Sequence, residues 1–174
     1  MLNGKFGSII IESKDVQDTH IKELKRFRLY VNGKEVGISF YFSGRDYYSP
    51  WLEIDYSPWL REKGIEDQFF LFIYHFLSPG SKLFVTYLRD KETREMLYKG
   101  FHPAETPLGF SLLKAGFTWF KDWYYPEGGN EGAPKIQANK PLNKEEEERQ
   151  LRKLLDEVKR DDVRKFIENK LAQG

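Results

Sequence analysis

A chain of 174 residues, 40% hydrophobic and 32% charged, is long enough to bury one core and has the balance of a single globular domain. Its 28 basic and 27 acidic residues leave a formal charge of +1, which argues against a strongly electrostatic nucleic-acid binder. Cysteine is absent, and the three histidines never fall in HxH or HExxH spacing, so disulfides, thiolate chemistry and a zinc pattern are not expected.

From the N-terminus, the β-branched run in 7–12 (GSIIIE) reads as a strand. Val16, Ile21, Leu24 and Phe27 then recur near helical spacing, which predicts an amphipathic helix over Asp15–Phe27. Residues 28–42 form a hairpin pattern around Asn32-Gly33, the pair that supplies the two positive φ angles of a type I′ turn. A strand follows over Trp51–Tyr56, with Leu52, Ile54 and Tyr56 on one face and Glu53 and Asp55 on the other.

Beyond Ser57-Pro58, Ile65–Leu77 is apolar almost all round, as a helix buried on a sheet would be, and Ser78-Pro79-Gly80 stops it. In that helix His75 reads as a core residue. Lys82–Leu88 is a short apolar strand suited to a central position buried on both sides, and its connection implies a parallel crossover. Helices are expected over Lys91–Lys99 and Leu108–Ala115, the second ended by Gly116, with 102–107 (HPAETP) interrupting them. Phe117–Tyr125 is an aromatic strand, and 126–141 reads as a Gly-, Pro- and Asn-rich loop. From Asn143 two apolar stripes (Leu151, Leu154, Leu155, Val158 and Val163, Phe166, Ile167, Leu171) change phase, predicting two helices or a kink with Asp161 or Asp162 as a cap. Nine basic and nine acidic residues between Lys144 and Lys170 balance, so the stripes are expected to pack on the domain or on a second subunit. No apolar run is long enough for a signal peptide or a span, and a cytoplasmic location is the expectation.

The segment 51–70 (WLEIDYSPWLREKGIEDQFF) carries the chemistry. A strand breaks at Ser-Pro, crosses a loop with Arg61, Lys63 and Gly64, and enters a buried helix. Such a junction can offer amide hydrogens and a helix dipole to a phosphate. The pattern resembles the acyl-CoA signature of the GNAT superfamily of N-acyltransferases, a strand ending at Pro followed by R/Q-x-x-G-x-G/A. Arg61, Gly64 and Ile65 fall in register, and the order of elements over residues 5–125 is similar too. The chain, above all 102–129, also resembles a small prokaryotic GNAT-like family.

That resemblance implies an α/β (α+β) fold: a mixed, mostly antiparallel sheet with flanking helices over residues 1–141, followed by a helical extension over 142–174. It implies acetyl-CoA or another acyl-CoA as cofactor, no metal, and Tyr56, Arg61, Lys63, Gly64, Ile65 and Glu66 as its binding residues. The acceptor would be a small-molecule or peptide amine. Glu53, Asp55 or His102 would serve as base and Tyr98 as acid. A homodimer through the extension is the further expectation, with neither nucleic acid nor membrane as partner. The pattern departs at Glu66, where the family carries Gly or Ala. A like-charge contact at about 4 Å and an effective dielectric of about 20 costs about 4 kcal/mol, so a carboxylate here opposes a diphosphate. Tyr98 also stands two residues closer to its Gly-Phe than the family's tyrosine does. The alternative is therefore a GNAT-like fold that has lost cofactor binding and serves as a binding or assembly module. The enzymatic reading requires free amides near Gly64 and a gap between the neighbouring strands.

Overall fold

The computed structural model describes residues 1–16, 20–124 and 133–174. Eight strands form one open sheet: β1 (Gly4–Phe6), β2 (Ile9–Asp15), β3 (Leu24–Val31), β4 (Lys34–Phe42), β5 (Trp51–Asp55), β6 (Lys82–Thr86), β7 (Trp119–Trp123) and β8 (Lys135–Asn139). Their spatial order is β1-β2-β3-β4-β5-β6-β8-β7. Every neighbouring pair is antiparallel except β5 and β6. Six α-helices are described: α1 (Trp59–Glu62), α2 (Glu66–Phe76), α3 (Lys91–Tyr98), α4 (Pro107–Ala115), α5 (Lys144–Glu157) and α6 (Asp161–Gln173). The fold is thus the mixed α/β class expected, C-terminal helices included.

The hairpin forms as its turn dictates, with φ of 50° at Asn32 and 81° at Gly33. Alternation then sorts the sheet's two faces. Phe27, Leu29, Leu52, Ile54, Leu83, Val85, Ile136 and Ala138 are fully or almost fully buried beneath Phe69, Phe70 and Ile73 of α2 and Leu108 and Leu112 of α4. Ser111 of α4 donates to Asp67 of α2 at 2.6 Å, and Lys114 pairs with the same carboxylate at 3.0 Å.

The opposite face stays partly open. Registered rows run Phe42–Trp51–Lys82–Asn139–Trp119, Phe40–Glu53–Phe84–Gln137–Lys121 and Asp55–Thr86–Lys135–Trp123. Apart from Gln137, these side chains are half-buried or exposed. Central β6 is accordingly buried on one side only, and the expectation of two-sided burial is corrected.

Four further expectations are corrected. The helix over Asp15–Phe27 is not present: Asp15 ends β2, Leu24–Phe27 begin β3, and residues 17–19 lie outside the described ones. The extended pairing of Leu24 through Phe27 with β4 outweighs a helical spacing of four apolar residues. Gly7 sits in a turn with φ of 58°, so the first long strand starts at Ile9. Within the segment read as a loop, Lys135–Asn139 is a strand inserted between β6 and β7; residues 125–132 lie outside the described ones. His75 is exposed, beside the rings of Phe6 and Tyr74, because it points away from the sheet.

The extension packs on its own chain: Leu151, Leu154, Val158, Val163 and Ile167 are at most 4% exposed and belong to the core. Two helices form, as the phase change requires. Their junction is held chiefly by Glu105, in the 3-10 turn Pro103–Glu105, rather than by Asp161 or Asp162. One Glu105 oxygen accepts the amides of Lys159 and Arg160, both at 2.8 Å, and the other accepts the His102 amide at 3.0 Å. Asp162 takes only the amide of its neighbour Val163. Burial pushes the Glu105 carboxyl up, yet these amides outweigh it and hold it below the ordinary range.

Candidate functional site: the β5–α2 junction

The β5–α2 junction folds as its residues dictate. Pro58 starts the single turn of α1, and Gly64 ends it with φ of 68°. Gly64 N–H donates to the Arg61 carbonyl and Ile65 N–H to the Leu60 carbonyl, both at 3.0 Å. This is a Schellman closure: Gly at C′ takes the left-handed conformation, and apolar Ile65 and Leu60 are both buried beside it. The Arg61-x-x-Gly64-Ile65 spacing thus has a complete local explanation. The amides of residues 60–65 donate to the chain's own carbonyls.

The side chains close the site further. Arg61 forms a bidentate bond with Asp90, at 3.0 and 2.9 Å, and its second nitrogen lies 3.1 Å from Glu66. The Tyr56 hydroxyl donates to the same Glu66 oxygen. Thr93 donates to Asp90 at 2.6 Å and accepts the Leu108 amide at 3.2 Å, tying the cluster to α3 and α4. Tyr56, Glu66, Asp90 and Thr93 are all buried. Burial pushes the Glu66 carboxyl above the ordinary range, while Tyr56 and Arg61 pull it back. Burial and then the Glu66 charge push the Tyr56 phenol up. Burial alone would lower Arg61, but its bond to Asp90 and the charge of Glu66 raise it, so the guanidinium stays protonated.

Between β5 and β6 there is no gap. Register holds from Trp51–Lys82 through Asp55–Thr86, and the Tyr56 amide continues it to the Thr86 carbonyl at 3.2 Å. The expected cofactor residues Tyr56, Arg61 and Glu66 meet, but around one another. Ile65 is buried, and Lys63 and Gly64 are exposed. Three features remain open: a Cβ built on Gly64 meets nothing within 4 Å, Ile65 provides no side-chain cap to α2, and a groove of ≈ 760 Å³ lies beside Asp55, Ser57, Glu62 and Arg89.

The four expected acid–base residues occupy separate clusters with no hydrogen bond between them. Glu53 pairs with Lys135 at 2.6 Å. Asp55 accepts from Thr86 at 2.8 Å and pairs with Arg89. His102 binds Glu157 through Nε2 at 3.0 Å and accepts the Ala104 amide through Nδ1 at 3.1 Å, a capping role. Tyr98 is 59% exposed and lies edge-on to Tyr124, with ring centroids 5.6 Å apart. Sequence reading missed Asp90, Thr93 and Glu105; only the Asp-x-x-Thr spacing at the start of α3 hinted at the first two. Among the described residues no three His, Cys, Asp or Glu side chains gather to hold a metal ion, and no helix is long and apolar enough to cross a membrane.

Comparison with known proteins adds relatives without an assigned activity. The crystal structure of a protein of unknown function, AQ1966 from Aquifex aeolicus VF5, is 33% identical, with a TM-score of 0.72 over 96% of this chain and 92% of that one. No curated protein matches. Residues 7–169 match the family described as "Protein of unknown function (DUF1122)", and the chain belongs to that family.

Proposed function

We propose that the chain is a non-catalytic binding module on an acyltransferase-like architecture, which offers the open face of its sheet rather than a CoA cleft. One observation carries this reading: Arg61, which the resemblance assigns to the diphosphate, is turned instead to the buried carboxylates of Glu66 and Asp90. Arg61 is saturated by two carboxylates, so an incoming anion would have to displace a buried, hydrogen-bonded charge. The residues present do not fit a CoA diphosphate. Isothermal titration of acetyl-CoA and of CoA into the protein is expected to give no heat that saturates below about 100 μM. A dissociation constant below about 100 μM, worth about 5.5 kcal/mol, would overturn the reading.

Acyl-CoA-dependent transfer to an amine is the second reading. It is favoured by the free space above Gly64, the first turn of α2 uncapped by Ile65, and the groove beside Asp55. It requires Glu66 to leave its pocket. Under it, the wild type binds acetyl-CoA and Glu66→Gly tightens that binding; under the first, neither protein binds it tightly.

A further inference from the structure

We infer that the groove on the open sheet face binds a nucleoside monophosphate, or a ligand of that chemistry: a flat heteroaromatic ring carrying a phosphate. The inference rests on the binding-module reading and names its ligand class.

The groove, ≈ 420 Å³, is walled by Trp51, Phe84 and Trp123, with Tyr48 at its lip and Glu53, Lys82 and Lys135 among the rings. Its size falls within the range of small-molecule sites. Alternation places these side chains together: Trp51, Glu53, Lys82 and Phe84 all point off one face of the parallel pair β5–β6, and Lys135 and Trp123 continue the adjoining row. The rings are held in place. Trp51 stacks on Phe42 at 5.7 Å between centroids and meets Phe84 edge-on at 6.2 Å. The Trp123 indole N–H donates to Gln137 at 2.9 Å, and Lys121 sits 3.8 Å from the centre of the same indole. Fixed aromatic walls give stacking area at little cost in side-chain ordering, which suits a planar ring.

Charge selects the remaining group. The groove holds two lysines against one glutamate. Lys135 is paired with Glu53, whereas Lys82 makes no ion pair among the described residues. A half-buried, unpaired ammonium beside aromatic rings favours an anion. The Glu53–Lys135 pair is itself about a quarter to a fifth exposed and presents an acceptor beside a donor. A nucleobase edge complements that pair, and its phosphate complements Lys82. An aromatic carboxylate would supply the anion without the edge. A strand of nucleic acid has the same chemistry, but a formal charge of +1 for the whole chain provides no extended track for a polyanion.

Tryptophan fluorescence of the full chain, titrated separately with AMP, GMP, CMP and UMP, tests the inference. At least one is expected to quench saturably below about 1 mM, and its phosphate-free nucleoside to bind several-fold more weakly. Lys82→Gln, checked for folding by circular dichroism, is expected to abolish the phosphate's advantage and to leave nucleoside binding unchanged. The inference is overturned if no monophosphate saturates, or if Lys82→Gln binds as the wild type does. It is also overturned if a single-stranded dodecamer binds more tightly per site than every monophosphate. An acetyl-CoA signal that survives Lys82→Gln sinks the binding-module reading and leaves this one standing; absent monophosphate binding with absent CoA binding does the reverse.

Discussion

Removing the cation from the buried cluster discriminates sharply between a filled cradle and an adaptable one. In Arg61→Met the side chain keeps an unbranched apolar stem and loses three charge-assisted contacts, two to Asp90 and one to Glu66. Two buried carboxylates then face each other without a cation. Breaking such a pair costs about 3–5 kcal/mol, and the 31% exposure of the Arg61 side chain places the loss near about 3 kcal/mol. For a chain of this size that lowers the melting temperature by about 6–12 °C. The pH dependence carries a sign. Burial already raises the Glu66 carboxyl above its unfolded value. A group raised in this way contributes stability below its unfolded pKa and loses it as pH rises through the folded pKa. Without Arg61 the pKa rises further, so the variant's deficit is larger at about pH 8 than at about pH 5. Adding Glu66→Gln removes one of the two stranded charges and is expected to recover about 1.5 kcal/mol, a coupling readable in a double-mutant cycle. Urea unfolding of the four proteins at both pH values is the assay. A loss under about 1 kcal/mol for Arg61→Met, with neither pH dependence nor coupling, would refute the account of Glu66 as the internal counter-anion.

Three other outcomes are expected. Glu105→Gln strands amides at the α5–α6 junction and is expected to cost about 2–3 kcal/mol by urea unfolding at neutral pH. Because the Glu105 carboxyl is held low, its contribution is present above the ordinary carboxylate range and lost as pH falls through the folded value, so the wild type and variant converge in acid. Gly64→Ala has space for its methyl group but a φ of 68°, so only backbone strain is felt, about 1–2 kcal/mol; no change in midpoint would contradict the Schellman closure. Gly109→Ala would put a Cβ 1.7 Å from the Pro103 carbonyl oxygen, and soluble, wild-type-like melting of that variant would contradict the packing of α4 on the 3-10 turn.

Local chemistry made much of this architecture readable. Asn32-Gly33 announces its hairpin, and the apolar run after Ile65 announces α2, because each pattern is decided within a few residues. Where partners lie far off in sequence, reading fails. Lys135–Asn139 has a single β-branched residue and follows a run of glycines and prolines; its strand exists because β6 and β7 flank it. The spacing of Val16, Ile21, Leu24 and Phe27 looks helical, yet Phe27, Leu29 and Val31 alternate, and the sheet claims them. At the site, Arg61, Gly64 and Glu66 were legible as a group. What they do was not, because Asp90, 29 residues further on, decides where the guanidinium points.

The Glu105 clasp has one more consequence. It fixes α5 where Gln150 accepts from Thr118 at 2.6 Å, beside β7, the last strand of an open sheet. Proteolysis after Pro141 would strip that guard and leave Trp119–Trp123 as a bare backbone rim with two tryptophans in it. Such a rim recruits strands from neighbouring molecules, so the trimmed protein is expected to self-associate through β-pairing. In the intact chain that edge strand lies against α5, through Thr118 and Gln150.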